Sequence, residues 1–228
     1  MPVHIYGRVC AMAPIMAIAE AHDLYVIEDC SEAHGATYLG RPVGAIGDVG
    51  CFSLFRNKIV HAEEGGVITT NNEALALRMQ DMKNMAFGSQ HNYLHNGLGF
   101  NYRMTNGQAE LALESLLQVG DNLKKRWEIA ERYASWLPDR SPLRPNGSVL
   151  WMYDFFCGEE HQEEIVRKIP GARHFFKPMS MQPIIDRECI NSKAFYFSKR
   201  GVYLPVREDM DEEYVDLICK AVVQIVKG

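Results

Sequence analysis

Two ionisable residues, Asp29 and Lys58, occupy positions in this sequence where a reactive group could lie. Asp29 follows the apolar run at residues 24–27, which is predicted to be a buried strand. Ligands of α/β proteins bind at the carboxyl ends of strands, so a carboxylate at this point is a candidate for ligand contact. On position alone, Asp29 is more simply a helix cap or a surface acid, and most lysines are solvated without a special role. The surrounding residues therefore decide between these interpretations.

The elements around the two residues predict an α/β fold. A strand, a helix and a second strand in that order are typical of a largely parallel sheet. Lys58 is expected on a polar loop between two further strands of the same sheet. The predicted elements are an extended run at residues 3–7, a helix at 12–22, strands at 24–27, 49–55 and 66–70, and a helix at 73–85 after an Asn71–Asn72 cap.

The second half of the sequence predicts a connecting helix and a smaller α+β unit. Residues 105–137 are helix formers with apolar residues three and four apart, broken once near Gly120. The proline-rich segment at residues 141–147 follows as a boundary, so we expect domains at residues 1–137 and 138–228. Within the second domain we expect strands at residues 149–157 and 202–204 and helices at 162–168, 190–199 and 212–226.

Composition argues for a globular protein that binds a small molecule. The 228 residues are 47% hydrophobic and 23% charged, which is enough apolar sequence for a substantial core. The formal charge of −5 and the absence of basic runs give no reason to expect nucleic acid or an anionic membrane as a partner. Apolar runs also stay well short of the roughly 20 residues of a membrane helix. The stretch at residues 10–21 is interrupted by Pro14 and Glu20 and has no basic cluster before it, unlike a signal peptide, so we expect a cytoplasmic protein.

Metal binding and disulfides are not expected. The six cysteines are scattered without a C-x-x-C pair, so they are expected to be reduced thiols. His34, His61, Glu63 and Glu64 are candidate metal ligands by type, but their spacing fits no helix-borne pair and two glycines interrupt the segment.

Several blocks of the sequence, taken together and in order, carry a resemblance to a known family. The segment around Asp29, from Glu28 to Ala36, and the segment that ends in Asn57–Lys58 resemble the pyridoxal-phosphate (PLP) site of the DegT-like nucleotide-sugar aminotransferases, a branch of fold type I. Linked blocks in the family's order are a specific signal, whereas any one of them alone is weak. The other matching blocks are residues 47–53, 63–66, 99–106, 108–109 and 200–205.

The resemblance implies a role for each of five residues. Lys58 matches the family's lysine, which carries PLP covalently and then moves a proton as a free amine. Asp29 matches the carboxylate that keeps the pyridine nitrogen protonated, and Glu32 stands where many relatives have Gln or Glu beside the ring hydroxyl. Ser53 matches a hydroxyl that holds the cofactor phosphate. Asn101 matches a residue that reaches the partner's phosphate across a homodimer interface.

The resemblance also implies an architecture and a reaction. Residues 1–137 correspond to the C-terminal part of the large PLP-binding α/β/α domain, and residues 138–228 to the small α+β domain. The family's N-terminal portion is not matched, so weak PLP binding by this chain alone is expected. The implied reaction is transamination of a nucleoside-diphosphate 4-keto-6-deoxy sugar with glutamate as amino donor, and residues 84–88 and 99–106 favour a GDP-perosamine type of product.

Two alternatives to an aminotransferase remain. A sugar 3-dehydratase branch of the same family replaces the lysine by histidine, and Lys58 argues against that branch. A non-catalytic homologue would keep the fold without the activity. The intact Asp29, Ser53 and Lys58 favour an active ancestor, whereas the unmatched N-terminal portion favours loss of activity.

Overall fold

The chain forms two compact units. A computed structural model describes residues 1–88, 93–137, 146–185 and 192–227. As far as these ranges are described, the first unit comprises Met1–Gly120 and Arg144–Val149, and the second comprises Asp121–Leu143 and Leu150–Gly228. The two units are divided within a long helix, whereas the sequence predicts domain limits at residues 1–137 and 138–228. Those limits stay a prediction, since most of the proline-rich segment lies outside the described residues.

The first unit contains a mixed sheet. The sheet has the order β1, β4, β5, in which β1 and β4 are parallel and β4 and β5 are antiparallel. Val3 adds a single parallel bridge to Asp29 on the far side of β1. The strands of this unit are β1 (Ile27–Asp29), β2 (Thr37–Tyr38), β3 (Arg41–Pro42), β4 (Val49–Ser53) and β5 (Gly66–Thr69).

Two strand predictions of the first unit need correction. Residues 3–7 are not one extended run, because a 3₁₀ turn at Ile5–Gly7 follows the bridge at Val3. Tyr6 and Gly7 both have positive φ angles, 55° and 79°, which are incompatible with a strand. A side chain at Gly7 would collide with the carbonyl group of Val149, so the turn requires glycine there. The strand predicted at residues 24–27 begins later, at Ile27.

The helices of the first unit agree with the sequence pattern. They are α1 (Met12–Ala21), α2 (Glu73–Lys83) and α3 (Asn106–Leu117). Asn72 caps α2, as predicted, by accepting a hydrogen bond from the Leu75 amide. The predicted break in the long helical stretch falls at Gln118, two residues before Gly120.

The second unit is an antiparallel sheet covered by helices. Its strand order is β6, β8, β7, and both pairings are antiparallel. The last helix presents a buried face of residues three and four apart, which packs against the sheet core. Its elements are α4 (Val119–Trp136), which begins just before the division, β6 (Tyr153–Phe156), α5 (Glu159–Lys168), β7 (Arg173–His174), α6 (Ser192–Ser198), β8 (Gly201–Leu204) and α7 (Glu212–Lys227).

The described ranges contain free cysteines and no helix suited to cross a membrane. The cysteines at positions 10, 30, 51, 157 and 219 are free thiols, and Cys189 lies outside those ranges. None of the helices there combines the length and the apolar character that a bilayer crossing requires.

Replacement of Thr105 by alanine should destabilise the first unit through the start of α3. Thr105 Oγ1 accepts a hydrogen bond from the Gln108 amide, and the Gln108 side chain accepts one from the Thr105 amide, which together form a capping box. We expect Thr105→Ala to lower the free energy of unfolding by about 1 kcal/mol in urea titrations. Thr105→Ser keeps the hydroxyl and serves as the control. Equal stability of the two variants would contradict the capping role.

Candidate functional site

Asp29 ends strand β1, which is parallel to β4, and its side chain is held by hydrogen bonds from a neighbouring residue. Its Oδ1 accepts hydrogen bonds from the amide and the hydroxyl group of Ser31, at 3.0 and 2.5 Å. The backbone of Asp29 pairs with Cys51 of β4 on one side and bridges to Val3 on the other. The carboxylate therefore has a defined position at the carboxyl end of two parallel strands, where α/β sheets place their ligands.

Lys58 lies on the loop at residues 54–65, between β4 and β5. The ends of this loop are closed by a hydrogen bond from the Leu54 amide to the Gly65 carbonyl, at 2.9 Å. The residue after Lys58, Ile59, is fully buried and anchors the middle of the loop. A lysine on a loop that is pinned at both ends and in the middle has little freedom to turn towards solvent.

The side chain of Lys58 is buried beside the carboxylate of Glu32. Lys58 Nζ lies 3.5 Å from Glu32 Oε1, and the two side chains are only 11% and 9% exposed. Burial lowers the pKa of the Lys58 amine. The negative charges of Glu32 and, more weakly, Asp29 act in the opposite direction but do not cancel this effect. Burial raises the pKa of Glu32, against the charge of Lys58. The surroundings thus move both groups towards their neutral forms.

Glu32 is held by a backbone amide of the turn at Ile5–Gly7. The Tyr6 amide donates to Glu32 Oε2 at 2.7 Å, so one oxygen is fixed while the other faces Lys58. The amide has this position because the turn contains the two positive φ angles described above. Sequence reasoning identified Glu32 but missed Tyr6, since a backbone contact leaves no trace in residue type.

Ser53 lies near Asp29, Glu32 and Lys58, whereas Asn101 lies on a separate, exposed segment. Ser53 is half-buried on β4, two residues beyond the partner of Asp29, and its hydroxyl accepts a hydrogen bond from the Phe55 amide at 3.3 Å. Asn101 lies on an exposed segment, where its side chain accepts a hydrogen bond from Arg103 Nε. The structure therefore brings Asp29, Glu32 and Lys58 together with Ser53 nearby, and none of the contacts described for Asn101 joins it to them.

A second buried pair, His4 and Glu28, was not identified from the sequence. Glu28 is fully buried, and its Oε1 accepts hydrogen bonds from the amides of Ile46 and Gly47 at 2.8 and 2.7 Å. Its Oε2 lies 3.2 Å from His4 Nε2. Burial opposes the charge of Glu28, but these hydrogen bonds outweigh it and lower its pKa to about 2. The pair connects the N-terminal segment, β1 and the loop before β4.

The hydrogen bonds around His4 argue against a metal ion. Within the described ranges, His4, Glu28 and Cys30 form the one group of three metal-ligating side chains whose donor atoms lie within 4.8 Å of one another. The Cys10 amide donates to His4 Nδ1, and His4 Nε2 faces Glu28 Oε2. Both ring nitrogens are thus already engaged in hydrogen bonds with protein groups. The cluster is therefore best explained as a structural network.

Replacement of Glu28 by glutamine should destabilise the protein in a pH-dependent way. A pKa lowered from 4.5 to about 2 corresponds to about 3 kcal/mol of stability at neutral pH. Because the folded pKa lies below the unfolded value, this stabilisation is complete above the unfolded pKa and is lost as the pH falls towards the folded one. We expect urea titrations to show a deficit for Glu28→Gln at pH 7 that shrinks below pH 4.5.

The control for this prediction is Glu20→Gln, which removes the same charge from an exposed position of α1. It should leave the stability of the protein unchanged across the same pH range. A deficit for Glu28→Gln that does not depend on pH would contradict the electrostatic explanation.

Comparison with known proteins identifies the family. The profile of the DegT/DnrJ/EryC1/StrS aminotransferase family matches residues 1–223. GDP-perosamine synthase of Caulobacter vibrioides is 34% identical over 245 aligned positions, which cover 99% of this chain and 65% of that protein. The UDP-N-acetyl-3-dehydro-alpha-D-glucosamine 3-aminotransferase of Acidithiobacillus ferrooxidans is 43% identical, over 100% of this chain and 64% of that protein.

The fold agrees with this match. The crystal structure of a DegT DnrJ EryC1 StrS aminotransferase from Brucella abortus superposes with a TM-score of 0.85 at 25% sequence identity, covering 97% of this chain and 62% of that one. The predicted α/β fold of the PLP-dependent aminotransferases is thus confirmed. The chain spans about two thirds of the length of the curated relatives it matches. It belongs to the DegT/DnrJ/EryC1/StrS family of PLP-dependent sugar aminotransferases.

Proposed function

We propose that this protein acts as a PLP-dependent aminotransferase on a nucleotide-linked keto-sugar, with Lys58 as the residue that holds the cofactor covalently. The observation that carries the proposal is the buried Lys58 amine beside Glu32 and Asp29, at the carboxyl end of two parallel strands. A surface lysine would be protonated at neutral pH and unable to attack a carbonyl group. Burial lowers the pKa of the Lys58 amine and so favours the nucleophilic form.

The donor groups present here suit the charges of PLP. Asp29 offers a carboxylate for a pyridinium nitrogen, and Ser53 offers a hydroxyl for a phosphate oxygen. Asn101 lies on an exposed segment, which suits contact with a second copy of the chain in a homodimer. Bound PLP would supply an electron-withdrawing ring for the reacting carbon. The residues of the chain would then hold and orient the cofactor and exchange protons with it. In this proposal Lys58 moves a proton between two carbons.

The proposed substrates are a GDP-linked 4-keto-6-deoxy sugar and glutamate as amino donor. The support is the similarity to GDP-perosamine synthases, of which three relatives are 31–34% identical to this chain. The relative from Acidithiobacillus ferrooxidans is named for a UDP-linked 3-keto sugar and is 43% identical. Both substrate types therefore belong in a turnover assay, and the GDP-linked sugar is the one we expect to react.

Lys58 should be the residue that PLP labels. A chain extended to the length of its relatives is incubated with PLP and reduced with borohydride, and the modified peptide is identified by mass spectrometry. We expect the label on Lys58 and its loss in Lys58→Ala, while non-covalent PLP binding persists in part. Lys124→Ala, which removes an exposed lysine of α4, is the control and should retain the label. A label on another lysine of the wild-type chain would show that the proposal is wrong.

Asp29 should matter far more for turnover than for cofactor binding. Its carboxylate is expected to stabilise the protonated ring, whose electron demand is greatest in the transition state. We expect Asp29→Asn to lower turnover by several orders of magnitude in a chain extended to the length of its relatives, assayed with both sugar types. PLP affinity, measured by fluorescence titration, should fall only modestly. A nearly unchanged rate would contradict this role.

A further inference from the structure

We propose that Glu32 is the proton acceptor of Lys58, so that the two side chains work as one acid–base pair. The inference rests on the proposed function for the identity of Lys58 as the reacting amine. It adds a second proton-transferring group, which is distinct from a contact between Glu32 and the cofactor ring. In the proton transfer, an N–H bond of the Lys58 ammonium breaks and an O–H bond forms on Glu32 Oε1. The total charge of the pair does not change.

Geometry gives the first argument. Lys58 Nζ and Glu32 Oε1 are 3.5 Å apart, a separation that a small side-chain movement converts to a short hydrogen bond. The Tyr6 amide binds the other oxygen at 2.7 Å, so the carboxylate keeps its orientation when the lysine moves. Glu32 therefore stays ready to give the proton back.

Residue chemistry gives the second argument. A glutamine at this position could also accept a hydrogen bond from Lys58, but an amide does not take up a proton at ordinary pH. A carboxylate does so when burial raises its pKa, as it does for Glu32. The same burial lowers the pKa of Lys58, so the two pKa values move towards each other and the proton passes more easily from Lys58 to Glu32. A charged pair in water would show neither tendency.

The remaining charges near the pair do not replace Glu32 in this role. Asp29 acts on both groups, but it ranks below Glu32 among the influences on the pKa of Lys58. Its Oδ1 is already engaged by two hydrogen bonds from Ser31. Glu32 is accordingly the group to which the Lys58 proton passes.

The first test measures the pKa of Lys58 without any cofactor. The rate of Lys58 acylation by acetic anhydride is followed against pH by mass spectrometry in the wild-type chain and in Glu32→Gln. Loss of an opposite charge at this distance should lower the pKa of Lys58 by about 1–3 units, so that acylation at neutral pH becomes at least roughly tenfold faster. Glu32→Asp keeps the charge and should give an intermediate value. Glu20→Gln, at an exposed position of α1, should change nothing.

The direction in which the pKa of Lys58 changes in Glu32→Gln distinguishes loss of the proton acceptor from a general loosening of the site. If Glu32→Gln merely loosened the site, Lys58 would become solvated and its pKa would rise towards the ordinary value for lysine. An unchanged or raised pKa in Glu32→Gln therefore overturns the proposal. Because no PLP is involved, this result is independent of whether Lys58 binds the cofactor.

The second test asks whether Glu32 accepts a proton when its partner cannot hold one. Lys58→Met replaces the ammonium by an apolar side chain of similar length. Glu32 should then be protonated at neutral pH, and the infrared spectrum should contain a carboxylic-acid carbonyl band that is missing in the double variant Lys58→Met, Glu32→Gln. An ionised Glu32 in Lys58→Met would overturn the proposal, even if PLP labels Lys58 in the wild-type chain.

Discussion

The burial of a lysine ammonium beside a carboxylate is the constraint on which the candidate site depends. Removing charges from water is costly, and the mutual attraction of a buried pair offsets that cost only when the geometry is well fixed. Here the loop at residues 54–65 fixes Lys58, and the Tyr6 amide fixes Glu32. The strained turn at Ile5–Gly7 is thereby explained, because its positive φ angles position an amide that the pair requires.

The same unit separates two carboxylates that are adjacent in sequence. Alternation along β1 sends Glu28 to one face of the strand and Asp29 to the other. Glu28 meets backbone amides and His4 in full burial and has a structural function, whereas Asp29 is half-buried at the strand end near Lys58. A strand only three residues long thus supplies both a support for the loop before β4 and a group that faces the candidate ligand site.

Much of the fold could be predicted from sequence, because periodicity reports which residues are buried. The α2 cap at Asn72 and the loop position of Lys58 follow from local patterns. The turn at Ile5–Gly7 did not, since residues 3–7 have an extended pattern and only tertiary contacts make left-handed backbone favourable at Tyr6. The His4–Glu28 pair was likewise hidden, because the two residues are 24 positions apart and each has a simpler surface interpretation.

The chemistry of the site shows why residue identity alone underdetermines function. Sequence similarity identifies Glu32 only as a residue beside the cofactor ring, a position where relatives have either glutamine or glutamate. The contact with Lys58 adds a distinction between the two residue types, since only a carboxylate can exchange a proton with the amine. Proton transfer within the pair leaves two neutral groups, so it puts no net charge into the buried site. That property suits a reaction in which the same amine must act first as a nucleophile and later as a base.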